Sequence, residues 1–176
     1  MNINIDEIVN KIIKLSSKLK IEIFKDDYGE YVNYSNIDLD QYSQEIKVKI
    51  IKNYLLKKFE GKELILDKDR VLINKHGIKK MSKYSKNNVD KAYVELEKIA
   101  TISKFICESE NTKSLKNNAP FFKYYETRLK IGLDIFTFKM VVKIPVDGSQ
   151  KAYLYSIQNK NTEVVSSDTA RYFVTK

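Results

Sequence analysis

Several residue types and patterns are scarce in this 176-residue chain, and each scarcity excludes a class of protein. One cysteine, Cys107, excludes an internal disulfide and a cysteine-based zinc site, and it favours a reducing compartment. Two prolines and five glycines leave no long flexible linker. No apolar run reaches the roughly 18 residues of a membrane span. The start MNINIDEIVNKII lacks the basic residues and cleavage site of a signal peptide, so we expect a cytoplasmic protein with no membrane partner.

Familiar motifs for nucleotide and metal chemistry are missing too. The chain contains no Gly-x-Gly-x-x-Gly, no Gly-Lys-Ser/Thr and no nucleophile elbow. His76 is the only histidine, and the acidic pair Asp67-Lys68-Asp69 is typical of a hairpin turn rather than of a metal cluster. We therefore expect neither a metal nor a cofactor. Cys107 is predicted to be a small buried residue.

Positive charge is abundant and concentrated. The net charge is +9, divided into −4 over residues 1–45, +9 over 46–86 and +4 over 87–176. A clustered positive field attracts polyanions, of which nucleic acid is the commonest in a cytoplasm. The same lysines have a second explanation, because an AT-rich genome raises the lysine content of all its proteins.

Periodicity and turn residues predict an α+β fold, with N-terminal helices followed by a mainly antiparallel sheet. The first helix carries an apolar stripe, and Asn4 or Asp6 is positioned to cap it. Its stripe consists of Ile5, Ile8, Ile12, Leu15 and Leu19. The other predicted elements are a hairpin over 21–34, a helix over 40–59, a hairpin formed by KELIL and RVLIN, a helix over 88–106, a loop over 107–118 with or without a short strand, and a C-terminal meander of three strands. Residues 1–35 are predicted to be an appendage and 36–176 the main domain.

Alternation along the meander predicts which strand residues share a face. One face carries the core residues Phe136, Phe138, Met140, Val142 and Ile144 of the second strand. The opposite face combines one carboxylate with cations and tyrosines: Tyr124, Glu126, Arg128, Lys130, Lys139 and Lys143, with Tyr153 or Tyr155 beside them. Metal-free RNA cleavage needs a base, an acid and a cation for the phosphate, and these residue types supply them. The same pattern is also typical of a face that is simply solvated.

The order of elements over about 36–158 resembles a domain of the large polyvalent proteins of phages and conjugative elements. The matching stretches are NIDLDQYSQEIKVKIIKNYLLKKFEGKELIL, RVLINKHGIKKMSKY, VELEKIATISKFI and YYETRLKIGLDIFTFKMVVKIPVDGSQKAYLY. Such domains are similar in layout to barnase/RelE-like ribonucleases, in which the open face of an antiparallel sheet binds RNA. The resemblance therefore implies a mobile-element protein directed at RNA. The meander has no histidine, so an acid there would be a different residue type.

Our first hypothesis is nucleic-acid engagement, with RNA as the ligand and with or without cleavage. In a cleaving enzyme Glu126 would be the base, Arg128 and Lys139 would stabilise the phosphate, and Tyr153, Tyr155 or His76 would be the acid. The predicted binding residues are Lys47, Lys52, Lys57, Lys58, Lys75, Lys79, Lys80, Tyr124, Lys130 and Lys143. The alternative is a protein-binding module of a phage or plasmid, such as an anti-defence or immunity factor, in which an edge strand or the acidic N-terminal segment contacts the partner. Oligomeric state is not predicted.

Overall fold

A computed structural model describes residues 2–17, 20–110, 121–146 and 151–162. The helices are α1 (Ile5–Ser17), α2 (Gln44–Phe59), α3 (Lys75–Ser82), α4 (Val89–Val94), α5 (Leu96–Thr101) and a 3-10 turn (Lys160–Thr162). The strands are β1 (Phe24–Asp26), β2 (Gly29–Asn33), β3 (Glu63–Leu66), β4 (Asp69–Leu72), β5 (Lys104–Glu110), β6 (Phe121–Ile131), β7 (Asp134–Ile144) and β8 (Tyr153–Asn159). The α+β class and the C-terminal meander are confirmed. Among the described residues, no helix has the length and apolar character needed to cross a membrane.

The strands form one mixed sheet in the order β1-β2-β6-β7-β8-β4-β3, with β5 paired to β6 beside β2. Most pairs are antiparallel, as predicted. The pairs β2–β6 and β4–β8 are parallel, which sequence patterns did not indicate. Because β2 joins β6 and α1 packs on α2, residues before 36 contact the rest of the chain extensively. The predicted boundary between an appendage and a main domain stays a prediction.

The core lies between one face of the meander and the helices α2, α4 and α5. Phe138, Met140 and Val142 of β7 are buried there, as the alternation predicted. Thr127 of β6 donates to the carbonyl of Ile99 in α5 at 2.7 Å, which fixes the helices on this side of the sheet. The opposite face of the meander, which we call the outer face, is therefore the one that carries Glu126 and Lys139.

The first helix matches its prediction except at one apolar position. Asn4 caps it by accepting a hydrogen bond from the Glu7 amide at 3.2 Å. Leu15 was predicted to be in the buried stripe but is 52% exposed, whereas Val9 and Ile12 are buried. The helix ends two residues after Leu15, at Ser17. Leu19 lies outside the described residues.

The segment predicted as one helix over 88–106 is two short helices and the start of a strand. Glu95, between α4 and α5, has φ −98° and ψ 25°, so the helix is interrupted there. The first residues of the predicted loop over 107–118 are the second half of β5, and residues 111–118 lie outside the described residues. Cys107 is exposed in this strand, so its predicted burial is wrong. It lies opposite Tyr124 in the register and therefore faces away from the core.

Candidate nucleic-acid interface

Helix α3 lies along β8, and the chain connection explains why. Strand β4 ends in parallel register with β8, with Leu72 opposite Tyr153, so the chain that leaves β4 starts beside β8. The Asn74 side chain then caps α3 by accepting from the Gly77 amide at 2.7 Å. A Cβ atom at Gly77 would meet the backbone oxygen of Leu154 at 2.4 Å. The absence of a side chain at Gly77 therefore lets helix and strand approach closely.

Residues one helical turn apart on α3 meet alternate residues of β8. The His76 ring contacts the Tyr153 ring edge-on at 6.0 Å between centroids. Lys80 lies over the Tyr155 ring, with Nζ 3.8 Å from its centroid. Four residues of a helix rise about 6 Å and two residues of a strand about 7 Å. A four-residue step along α3 therefore matches a two-residue step along β8. Helix and strand thus present a continuous line of cations and rings.

The rings of β8 extend onto the outer face of the meander. Tyr155 packs on Phe122 of β6 at 5.4 Å and lies 6.4 Å from Tyr153. Lys143 of β7 lies over the Tyr155 ring at 5.4 Å. A bulge between the pairs Val141–Ser156 and Val142–Leu154 leaves Tyr155 as the extra residue of its strand. We call Phe122, Tyr153, Tyr155, Lys80 and Lys143 the ring cluster.

The lysines of α3 and of the turn after it form a strip that has no carboxylate. Residues 74–89 contain five lysines and no aspartate or glutamate, and we call Lys75, Lys79, Lys80, Lys83 and Lys86 the basic strip. Four of the five are exposed and Lys80 is half-buried. None of them forms an ion pair with another residue of the part of the chain that the structure describes. Burial lowers the pKa of Lys80, and the nearby charges of Lys143 and Lys83 lower it further.

The lysines of α2 are arranged differently, although the sequence predicted the same role for them. Lys47 pairs with Asp40 at 3.0 Å, and Lys58 pairs with Glu97 at 3.4 Å. Lys57 donates to Asn10 of α1. Lys52 is exposed. Three of the four predicted α2 lysines thus contact other side chains of the same domain. A nucleic-acid-binding role for these four stays a prediction.

The predicted catalytic residues Glu126 and Arg128 line a cleft of about 350 Å³. The cleft lies along β6, at the point where the neighbouring strand changes from β5 to β2. Arg128 binds Asp26 with both Nη atoms, at 2.6 and 2.7 Å, and donates to the Gly29 carbonyl at 3.0 Å. This guanidinium lowers the pKa of Asp26 to about 2. Glu126 accepts a hydrogen bond from Lys160. Both predicted catalytic groups are thus held by side chains that the sequence did not indicate as partners.

The other predicted site residues fall at intervals along the sheet. Lys139 is opposite Glu126 in the register and lies over the Tyr124 ring at 5.5 Å. Tyr153 is opposite Lys143, four residues further along β7, which is about 13 Å of strand. Lys130 lies at the other end of β6, paired with Asn33. The predicted base Glu126 therefore lies apart from the predicted acids Tyr153, Tyr155 and His76, which lie together where α3 meets β8.

The sequence analysis did not predict helix α3, and so it did not predict that residues of α3 contact residues of β8. His76 was interpreted as a loop residue, because Gly77 and the surrounding lysines are typical of a turn. The signal was present in Asn74, a strong N-cap residue, and in the four-residue spacing of His76, Lys80 and Tyr84. Lys83, Lys86, Tyr84 and Phe122 were not named as candidates. Among the described residues, no group of three or more His, Cys, Asp or Glu could hold a metal ion.

The fold and this surface define a small α+β domain with a mixed sheet and a basic helix at one edge. A sequence model of the family called large polyvalent protein-associated domain 3 matches residues 29–153, and the chain belongs to this family. The predicted resemblance to a domain of large polyvalent proteins is confirmed. Searches among curated proteins and among solved structures gave no match. The predicted barnase/RelE-like layout stays a prediction.

Proposed function

We propose that this domain binds single-stranded nucleic acid, with RNA as the first ligand to test, through the basic strip and the ring cluster. The observation that carries the proposal is the placement of the strip. Its lysines have no carboxylate partner among the described residues, and one of them, Lys80, lies over the Tyr155 ring of β8, which packs on Phe122 of β6. Sequence-independent binding of single strands combines these two elements, a basic track for the backbone and rings on which bases stack.

Electrostatics favour an anionic ligand at this edge. Burial lowers the pKa of Lys80 most, and the nearby charges of Lys143 and Lys83 lower it further, so these two cations disfavour the charge of Lys80. A bound phosphate would relieve this repulsion, and it would release counterions from the nucleic acid. The α2 lysines lack this property because Asp40 and Glu97 already compensate two of them.

The ring cluster supplies the aromatic rings on which bases can stack. Tyr155 and Phe122 are half-buried, so each keeps part of its surface accessible while its neighbours fix its orientation. A base stacked on such a ring contributes roughly 1–3 kcal/mol, with little dependence on its identity. This arrangement suits a protein that binds a strand without reading its sequence.

The test compares two triple variants of the full chain by fluorescence anisotropy with a labelled single-stranded RNA. Lys75→Ala/Lys79→Ala/Lys80→Ala removes three charges from the basic strip. We expect its affinity to fall about tenfold at about 50 mM salt, and the slope of log K against log salt to shrink by about 2. The matched control, Lys49→Ala/Lys52→Ala/Lys57→Ala, removes three charges from α2 and should change both quantities much less.

Equal losses in the two variants would show that only net charge matters and would contradict the proposed surface. No binding to RNA or DNA at about 50 mM salt would refute the proposal and favour the protein-binding alternative. The same incubations report on cleavage. Ribonuclease activity by Glu126 stays a prediction, and shortened RNA that disappears with Glu126→Gln would establish it.

A further inference from the structure

A cavity of about 470 Å³ lies where the basic strip meets the end of β8. Its apolar floor is formed by Val89 and Ile157, which are 5% and 1% exposed. Its rim carries Lys83, Lys86 and the Tyr84 ring, which is 62% exposed. Ligand cavities in proteins have volumes of about 300–1,000 Å³, so this one is large enough for a single small molecule.

The wall of the cavity is a turn that is fixed to the sheet. Asn87 and Asn88 both have left-handed backbone conformations, with φ of 56° and 66°, which asparagine tolerates better than most residues. The Asn159 side chain of β8 donates to the Asn87 carbonyl at 2.9 Å. The Val89 amide donates to the Lys86 carbonyl at 3.1 Å. The turn is thus tied both to β8 and to itself, so the cavity is preformed.

The residue types around the cavity specify its ligand. Of the residues that the structure describes, two lysines and no carboxylate line it, which favours an anion such as phosphate. An exposed tyrosine above an apolar floor favours a flat ring. The exposed Gln158 side chain offers an amide that donates to and accepts from the edge of such a ring. A nucleotide combines these three features in one molecule.

We propose that this cavity holds one nucleotide, with its base against Tyr84 and its phosphate between Lys83 and Lys86. The inference rests on the proposed function, because Lys83 and Lys86 of the basic strip line the cavity together with the Tyr84 ring. A strand that follows the basic strip would therefore reach the cavity. The occupant is a nucleotide unit, either of that strand or a free nucleoside monophosphate.

The test is an NMR titration of the ¹⁵N-labelled full chain with AMP and UMP, and with ribose 5-phosphate as the probe that lacks a base. We expect saturable shifts of the amides in 84–88 and 157–159 with the nucleotides, and much weaker binding of ribose 5-phosphate. The variant Tyr84→Ala/Lys86→Ala should weaken nucleotide binding roughly tenfold or more, since it removes a stack and a charge. The matched control is Lys11→Ala/Lys14→Ala, which removes two exposed lysines from α1 and should leave nucleotide binding unchanged.

RNA binding without saturable nucleotide shifts at the cavity, or with shifts that the variant does not alter, would overturn this inference and leave the proposed function standing. Absence of both RNA and nucleotide binding would overturn both. An RNA oligomer that loses affinity for Tyr84→Ala/Lys86→Ala identifies the occupant as part of the strand. An oligomer with unchanged affinity, while AMP binding is lost, identifies a site for free nucleotides instead.

Discussion

Helices α2 and α3 are both rich in lysine, but they use it in opposite ways. In α2, Lys47 and Lys58 are only 16% and 9% exposed and pair with carboxylates of other segments. In α3, Lys75 and Lys79 are exposed and have no ion pair with any described residue. Lys47 and Lys58 of α2 therefore act in holding the fold together, whereas Lys75 and Lys79 of α3 are available to a ligand.

The difference arises from what surrounds each helix. Helix α2 packs against α1, α3 and α4, and acidic side chains from nearby segments reach its lysines. Helix α3 contacts β8 and α2 but has no carboxylate in its own segment, 74–89. Local lysine density therefore does not indicate which charges are available to a partner. The positions of the carboxylates decide it.

The largest effect is expected where α3 touches β8. Alanine usually favours a helix by about 1 kcal/mol over glycine. Gly77→Ala should nevertheless destabilise the protein by about 3 kcal/mol, because the new methyl group meets the Leu154 backbone oxygen at 2.4 Å. Urea denaturation measures this loss, and RNA affinity should fall with it as α3 moves from the ring cluster. A variant as stable as the parent would show that α3 does not pack closely on β8.

A smaller effect should separate the two helices directly. Lys47→Ala should cost about 2 kcal/mol of unfolding free energy, because Asp90 is 2% exposed and would lose a cation 3.9 Å from its carboxylate. Burial already raises the pKa of Asp90. Lys79→Ala, at an exposed position of α3, should change the unfolding free energy by no more than about 0.5 kcal/mol.

The comparison fails if these two variants are equally stable. RNA affinity should show the opposite order. When both variants are folded, Lys79→Ala should bind RNA more weakly than Lys47→Ala does. Thermal unfolding ranks the two variants by stability, and fluorescence anisotropy on the same preparations ranks them by RNA affinity.

The smallest expected effect concerns Arg128, which resembles the α2 lysines in being paired within the fold. Asp26 has a folded pKa of about 2, below the roughly 3.9 of an unfolded chain, mainly because Arg128 donates hydrogen bonds to it. Its contribution to stability is thus fully present above about pH 4 and is lost as the pH falls towards 2. The stability difference between the parent and Asp26→Asn should shrink over this interval.

A carboxyl titration followed by NMR locates the midpoint for Asp26. Arg128→Lys keeps the charge but loses the two-pronged contact, so it should raise the midpoint part of the way towards 3.9. An unchanged midpoint in this variant would show that charge alone lowers the pKa.

Elements with strong local signals were predicted well. The turn Asp26–Gly29, the glycine with φ 82° after α2 and the alternation along β7 each fix backbone geometry through neighbouring residues. These signals placed both hairpins, the end of α2 and the meander correctly, whereas α2 begins at Gln44 rather than at 40. Candidate residues on the outer face were also assigned to the correct side of β6 and β7, because alternation alone determines the side.

Features that depend on distant segments could not be predicted. Helix α3 has eight residues, lysine-rich and with a glycine near its start, and its position depends on β8, which is about 75 residues later. The pairing of Arg128 with Asp26 joins residues 102 positions apart. The exposure of Cys107 follows from the register of β5 on β6, which turns its side chain away from the core.

The sequence by itself determined the α+β class, the order of most elements and the excess of lysine in the middle of the chain, because these follow from local propensity and composition. Only the tertiary structure decided which lysines are available. A charge is compensated by whichever carboxylate lies within a few ångströms, and that neighbour is set by packing rather than by sequence distance. The same packing placed α3 against β8 and so brought the basic strip beside both the ring cluster and the cavity.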